Sequence, residues 1–186
     1  MNSSKEIKQS LQTLSGIAIK KSFCRFVDIK YLADLLSSVG SLNGGRYNLK
    51  NTFEVLYMSP DPETAIAETI KPHNFKLPPK IIITIDVNIQ EIVDLENTQI
   101  IKTLNIDTSQ LFNAWRIPSN TESYTQTLGR LIYESKNFEG IRYPSAAPSI
   151  KNKYNLAIFP DKLKKGSEVK VYDPEKLVEQ VILGEK

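Results

Sequence analysis

The segment KIIITIDV, residues 80–87, constrains the fold of this chain more than any other stretch. It contains four isoleucines, and β-branched side chains favour the extended backbone of a strand. The run is far too short to cross a membrane, so it predicts a strand within a sheet. A second apolar stretch, EIVDLE at 91–96, predicts another strand close behind it.

Strands and helices are predicted around this segment without strict alternation. Strands are predicted at 53–59, 154–159, 168–173 and 177–183, helices at 5–20, 28–38, 59–71, 107–115 and 119–138, and a loop at 139–152. Ser59 and Pro60 form a strong helix start, and Ser119 with Glu122 matches a capping box. This order predicts an α+β domain, and 186 residues suit a single domain over 1–186.

Composition narrows the classes of function. The net charge of +3, without a long block of lysine or arginine, fits an anionic small ligand, and direct binding to nucleic acid is not expected. Cys24 and His73 are the only residues of their types, so no disulfide, cysteine zinc site or histidine metal site is expected within the chain. His73 lies in a proline-rich connection and is interpreted as a loop residue without chemistry. The N-terminus lacks the apolar centre of a signal peptide, which predicts a cytoplasmic protein.

The stretch NGGRYN, residues 43–48, is a candidate ligand-binding turn. Glycine permits tight turns and close approach to the backbone, and arginine offers a planar fork of donors that suits phosphate or carboxylate. The alternative interpretation is a plain turn with an exposed Arg46.

Tyr57 and Glu68 follow this turn on a predicted strand and a predicted helix. Tyr57 lies on the strand face opposite its apolar neighbours, so its ring is available to stack on a flat ligand. Ile66 and Ile70 are expected to define the buried face of the helix, and Glu68 then points away from it, with the small Ala65 on its own side. The alternative for Glu68 is a solvated surface glutamate.

Ser145 follows Pro144 in the predicted loop 139–152. No general base is near it in the sequence, so a nucleophilic serine is not expected. A hydroxyl that orients a ligand fits better, and the alternative is a turn serine that bonds its own backbone.

Taken together, these blocks resemble the RES-domain proteins, the toxins of a bacterial toxin–antitoxin class. The matching blocks are CRF with Arg25, GGRYN with Arg46, VLYMSPDPETAIAE with Tyr57 and Glu68, GIRYPSA with Ser145, and YNLAIF. They occur in the family's order over about residues 22–160, and Arg46, Tyr57 and Glu68 are equally spaced. Two departures are Tyr47, where the family usually has tryptophan, and SAAP after Pro144, where many members have a basic residue.

The resemblance implies a fold like the ADP-ribosyltransferase toxins, with two small, mainly antiparallel sheets around a cleft and helices outside. It implies NAD as the substrate, with no metal and no further cofactor, and a cognate antitoxin, usually with a helix-turn-helix domain. By the same resemblance Glu68, Arg46 and Ser145 are catalytic, and NAD is bound by Arg25, Arg46, Tyr47, Tyr57 and Ser145. The acceptor of the ADP-ribosyl group is water or phosphate in some relatives and a protein side chain in others.

The chemistry of the named residues agrees with this implication. Arg25 and Arg46 suit the pyrophosphate, and Tyr57 suits the flat cationic nicotinamide ring. Cleavage of the glycosidic bond builds positive charge on the ribose, which a fixed carboxylate at Glu68 would stabilise. Alternatives are a mono-ADP-ribosyltransferase that modifies a protein, a non-catalytic nucleotide-binding module and, with least support, a nucleic-acid binder.

Overall fold

The structure is a computed structural model that describes residues 4–69, 78–117, 121–135, 137–147 and 152–185. His73, Ile70 and Ser119 lie outside these ranges. The helices are α1 Ser4–Thr13, α2 Pro62–Thr69, α3 Thr98–Leu104 and α4 Tyr124–Glu134, with short 3-10 turns at Ile29–Tyr31, Val39–Asn43, Thr108–Phe112 and Pro160–Lys162. The strands are β1 Ile17–Asp28, β2 Leu56–Met58, β3 Lys80–Asp94, β4 Gly140–Pro144, β5 Tyr154–Ile158, β6 Glu168–Val171 and β7 Val181–Leu183.

The long strand β3 is the axis of the sheet. The two strands predicted at 80–87 and 91–96 are one 15-residue strand, because the pairing with β1 continues through the residues between them. Along its other edge β3 pairs first with β6, antiparallel, and then with β4, parallel. Two branches therefore leave β3, one through β6 to β7 and one through β4 and β5 to β2.

The branch through β4, β5 and β2 curls back onto β1. Cys24 and Ser59 close the curl with two backbone hydrogen bonds of 2.7 and 2.8 Å. The α+β class is confirmed, and the two small sheets that were expected correspond to two branches that share β3 in one seven-stranded sheet.

Two apolar clusters fill this architecture. One packs side chains of β1, β3, β5 and β6 against Leu35 and Leu36. The other lies between the sheet and the helices α1, α3 and α4. On α4 the apolar side chains of Leu128, Leu131 and Ile132 lie on one face of the helix and are all buried.

Several local predictions are wrong. Residues 28–38 do not form a regular helix, since the carbonyls of Leu35 and Ser37 accept hydrogen bonds from a side chain of β1. The predicted helix 5–20 ends at Thr13, and the residues from Ile17 onward pair with β3. The predicted loop 139–152 begins with strand β4, which was not expected.

The ends of other elements also differ from the predictions. The last strand covers 181–183 rather than 177–183, because Lys176 and Glu179 have positive φ angles of 55° and 35°. Helix α4 begins one residue after Ser123, whose capping box is completed by Gln126 rather than by Glu122.

Candidate active site

An open cleft of about 330 Å³ lies where the curled branch meets β1. Four residues that the sequence predicted line it: Arg25, Arg46, Tyr57 and Glu68. Residues that the sequence analysis did not single out line it as well, among them Trp115, Tyr143 and Asn155. The cleft therefore combines two cations, a carboxylate and several aromatic rings.

The turn that carries Arg46 is held tightly against Tyr57. Gly44 has a φ of +94°, which favours glycine. A Cβ on Gly45 would lie 2.6 Å from the Tyr57 hydroxyl oxygen, so only glycine fits there. The Tyr57 hydroxyl donates to Asn48 Oδ1 at 2.8 Å and accepts from the Tyr47 amide at 2.9 Å. NGGRYN is thus a turn whose shape depends on the tyrosine that follows it.

A side chain of helix α4 holds the same turn through hydrogen bonds. The side-chain amide of Gln126 donates to the carbonyls of Gly45 at 3.0 Å and Asn48 at 3.3 Å. Gln126 also completes the capping box of α4, so the start of that helix and the cleft turn are fixed together.

Glu68 reaches the cleft from α2. This helix starts at Pro62 and is capped by Asp61, which accepts from the Thr64 amide at 2.9 Å, so the predicted cap Ser59 is wrong. The buried face consists of Thr64 and Ala65, whereas Ile66, expected in the core, is only partly buried. Ala65 lines the cleft one turn before Glu68, as its small size suggested.

The Glu68 carboxylate is clamped through one oxygen. Oε1 accepts from Ser145 Oγ at 2.5 Å, from Asn155 Nδ2 at 2.7 Å and from the Ala146 amide at 3.2 Å. No described residue donates a hydrogen bond to Oε2. All three contacts donate to Oε1, which therefore acts only as an acceptor. The clamp fixes the direction of the side chain and leaves Oε2 available to a ligand.

Ser145 is brought to the site by this contact. It follows β4, and its amide donates to the carbonyl of Lys153, just before β5, at 2.8 Å. Its hydroxyl donates to Glu68, so the serine helps to position the carboxylate.

Both arginines are partly engaged by backbone carbonyls. Arg25 donates to Leu35 at 2.8 Å and to Ser37 at 2.7 Å, through different terminal nitrogens. Arg46 donates from Nη1 to Leu111 at 2.9 Å and to Asn113 at 3.1 Å. A guanidinium has five N–H donors, so each arginine shapes a wall of the cleft and keeps donors for an anion. Burial lowers the pKa of Arg25 to about 10, which leaves it protonated at neutral pH.

The tyrosines of the site have different roles. Tyr57 is half-buried with its ring in the cleft wall, and burial raises the pKa of its phenol, so its hydroxyl acts as a neutral donor. Tyr47 is 0% exposed, and its ring packs against Tyr143 with 4.6 Å between centroids. Gly129 of α4 lies directly against the Tyr47 carbonyl. The expectation that Tyr47 contacts the ligand is therefore corrected, because its side chain does not reach the cleft.

The described residues contain no group of three or more histidine, cysteine, aspartate or glutamate side chains that could hold a metal ion. No described helix is long and apolar enough to cross a membrane.

Comparison with known proteins decides the family. The family model described as the RES domain matches residues 23–178, most of the chain. The chain belongs to the RES-domain family. The blocks around Arg25, Arg46, Tyr57, Glu68 and Ser145 all lie within the matched region, and the structure gathers them at one cleft.

A solved structure shares the fold of this RES-domain chain. It is described as the crystal structure of the M. tuberculosis MbcT–MbcA toxin–antitoxin complex, and the match has a TM-score of 0.67 at 13% identity. The alignment covers 91% of this chain and 90% of that one, so it extends over the whole fold. No curated protein sequence matches the chain at a significant level.

Proposed function

We propose that this chain is a toxin that consumes NAD by cleaving the bond between nicotinamide and ribose. The observation that carries the proposal is Glu68, a carboxylate held by three donors on one oxygen in a cleft that also holds Arg25, Arg46 and Tyr57. Membership of the RES-domain family supports the toxin role, as does the likeness to a toxin–antitoxin complex.

Glu68 acts on the charge that develops during bond cleavage. When the C1′–N bond breaks, its electron pair leaves with nicotinamide, and C1′ and the ring oxygen of the ribose become positive. Oε2 stabilises this cation and accepts a hydrogen bond from a ribose hydroxyl. The clamp on Oε1 means that the carboxylate needs no reorganisation as the charge appears, which is what makes such a contact catalytic.

The acceptor then forms a bond to C1′. Water yields ADP-ribose and releases one proton, whereas phosphate yields a phosphorylated ADP-ribose. Arg25 and Arg46 bind the pyrophosphate with the donors that the backbone carbonyls leave free, and Tyr57 holds the nicotinamide ring. Their binding energy places C1′ beside Oε2.

Control by a partner is part of this proposal. A cytoplasmic enzyme that destroys NAD would harm the cell that makes it, so we propose a cognate antitoxin, with a helix-turn-helix domain, that covers the cleft. Expression of the chain alone should then lower cellular NAD and stop growth, and co-expression of the antitoxin should restore both.

The direct test incubates the purified chain with NAD, with and without phosphate, and resolves the products by chromatography. Nicotinamide release without any protein acceptor is expected, and the accompanying product identifies water or phosphate as the acceptor. Release only after a protein acceptor is added would indicate a mono-ADP-ribosyltransferase. Binding of NAD without release would indicate a non-catalytic module.

Helix α2 offers a matched control for this test. Glu68→Gln removes the charge in the cleft, and Glu63→Gln removes the same charge from an exposed position in the first turn of the same helix. Only the first change should lower the rate of nicotinamide release, by about 10²–10³-fold. Equal loss in both variants would contradict the role of Glu68.

A further inference from the structure

Trp115 is the only tryptophan of the chain, and its place in the cleft has no role in the chemistry described above. It follows the 3-10 turn Thr108–Phe112. Phe112 and Ile117, on either side of it, are 54% and 39% exposed, whereas Trp115 is half-buried and lines the cleft. Of these three side chains, only that of Trp115 lines the cleft.

Arg46 is hydrogen-bonded to the chain segment that precedes Trp115. The two carbonyls that Arg46 Nη1 binds, of Leu111 and Asn113, lie just before Trp115 in the chain. On its other side Arg46 follows Gly45, which is in close contact with Tyr57. Arg46 is therefore linked to the segments of two aromatic side chains that line one cleft, Tyr57 and Trp115.

A dinucleotide matches this set of groups, two aromatic side chains and two arginines. NAD has two flat rings separated by a pyrophosphate, and Arg46 with Arg25 is proposed to bind the pyrophosphate. We propose that Trp115 is the stacking surface for the adenine ring, while Tyr57 faces the nicotinamide ring; this assignment rests on the proposed function.

One face of the Trp115 indole is already covered by a neighbouring side chain. The guanidinium of Arg116 lies over the Trp115 ring, 4.3 Å from its centroid, which covers one face and leaves the other for a base. Stacking of a base on an aromatic side chain changes affinity by on the order of 10-fold or more. It adds binding energy far from the reacting bond, so its loss should raise KM more than it lowers kcat.

The single tryptophan makes the proposal directly measurable. Fluorescence excited at the red edge of indole absorption, where adenine does not absorb, reports on Trp115 alone. AMP and ADP-ribose should quench it saturably. Nicotinamide mononucleotide, which lacks the adenine, should leave it unchanged at concentrations where calorimetry shows it bound.

Variants separate stacking from structure. Trp115→Ala should raise KM for NAD on the order of 10-fold, Trp115→Phe should recover most of that loss, and Phe112→Ala, an exposed aromatic of the same segment, should behave like the parent. An unchanged KM in Trp115→Ala would overturn the assignment.

The outcomes also separate this assignment from the proposed function. Quenching by AMP without NAD turnover would support the adenine site and contradict NAD cleavage. NAD turnover without quenching by AMP or ADP-ribose would overturn the adenine site alone. Absence of both would overturn both.

Discussion

Glu139 and Glu68 each accept three hydrogen bonds from described residues, yet they differ in which oxygen atoms stay free. Glu139 is 0% exposed and uses both oxygens: Oε2 accepts from the amides of Gln90 and Glu91 at 2.9 Å each, and Oε1 from the amide of Lys164 at 2.8 Å. Glu68 is exposed to the cleft and places all three bonds on Oε1. The number of hydrogen bonds is the same, but only Glu68 keeps an oxygen for a ligand.

The donors differ in origin as well. Glu139 is bound by backbone amides of β3 and of the segment before β6, so it ties together chain segments where the branches diverge. Glu68 is bound mainly by the side chains of Ser145 and Asn155. Substitution of either residue can therefore remove a donor without a change in the backbone. The two glutamates thus differ in how many of their oxygen atoms accept hydrogen bonds, and in whether the donors are mainly backbone amides or mainly side chains.

The largest effect is expected from Glu139→Gln, on stability. Both oxygens of Glu139 accept from backbone amides. The side-chain NH2 group of a glutamine would therefore point at an N–H donor, and the buried network would lose its charge. A buried donor left unsatisfied costs about 1–3 kcal/mol, and the other bonds lose a charged acceptor worth about 1.5–3 kcal/mol, so the total is roughly 3–5 kcal/mol. The free energy of unfolding from urea denaturation measures this loss. A change below about 1 kcal/mol would contradict the structural role of Glu139.

Glu68→Gln should show the opposite pattern. The amide oxygen can take the place of Oε1 and keep all three donors, so the melting temperature should stay near that of the parent. The loss of charge at the position of Oε2 should lower kcat by about 10²–10³-fold with KM little changed, because a preorganised contact of the transition state is lost. Parental turnover would make Glu68 a surface residue, and equal loss of affinity and turnover would make it a binding residue.

Asn155→Ala tests the clamp itself, with a smaller effect. Asn155 is 1% exposed and donates to Glu68, while its Oδ1 has no partner among the described residues, so the variant removes one bond to a charged group. A bond of this kind changes a rate by roughly 10- to 100-fold. The fall should appear in kcat and not in KM, since Asn155 acts through Glu68. A pure rise in KM would instead place Asn155 in contact with NAD.

The sequence predicted the parts of this site that local motifs carry. Arg46, Tyr57 and Glu68 were identified from short blocks, and each lines the cleft. Asn155 and Gln126 were missed because their partners lie 87 and 81 residues away along the chain, and nothing local marks such contacts. The partners of the arginines were missed for the same reason, since they are backbone carbonyls, which carry no sequence signal.

The errors in the fold have a similar origin. Segment 28–38 has helical spacing of leucines, yet its carbonyls are bound by Arg25, and tertiary contacts of this kind override local propensity. Strand β1 has many charged residues and little alternation, so only its pairing with β3 reveals it. The α+β class survived these errors because it depends on the whole set of elements.

Tyr47→Phe is expected to have the smallest effect. It tests the case opposite to the two glutamates, a buried polar atom without a hydrogen bond to any described residue. The Tyr47 hydroxyl is buried without a hydrogen bond in the described part of the chain, and burial raises its pKa. An unpaired buried hydroxyl costs free energy, so its removal should leave stability unchanged or raise it by up to about 1 kcal/mol. Turnover of NAD and its KM should stay parental, because the ring continues to pack on Tyr143.

The matched variant is Tyr57→Phe, which deletes a hydroxyl that bonds both Asn48 and the Tyr47 amide and should lower the free energy of unfolding by about 1–3 kcal/mol. Urea denaturation and NAD kinetics on both variants measure these differences. A 10-fold rise in KM for Tyr47→Phe would mean that its hydroxyl turns into the cleft when NAD binds, and would restore the contact that the sequence predicted.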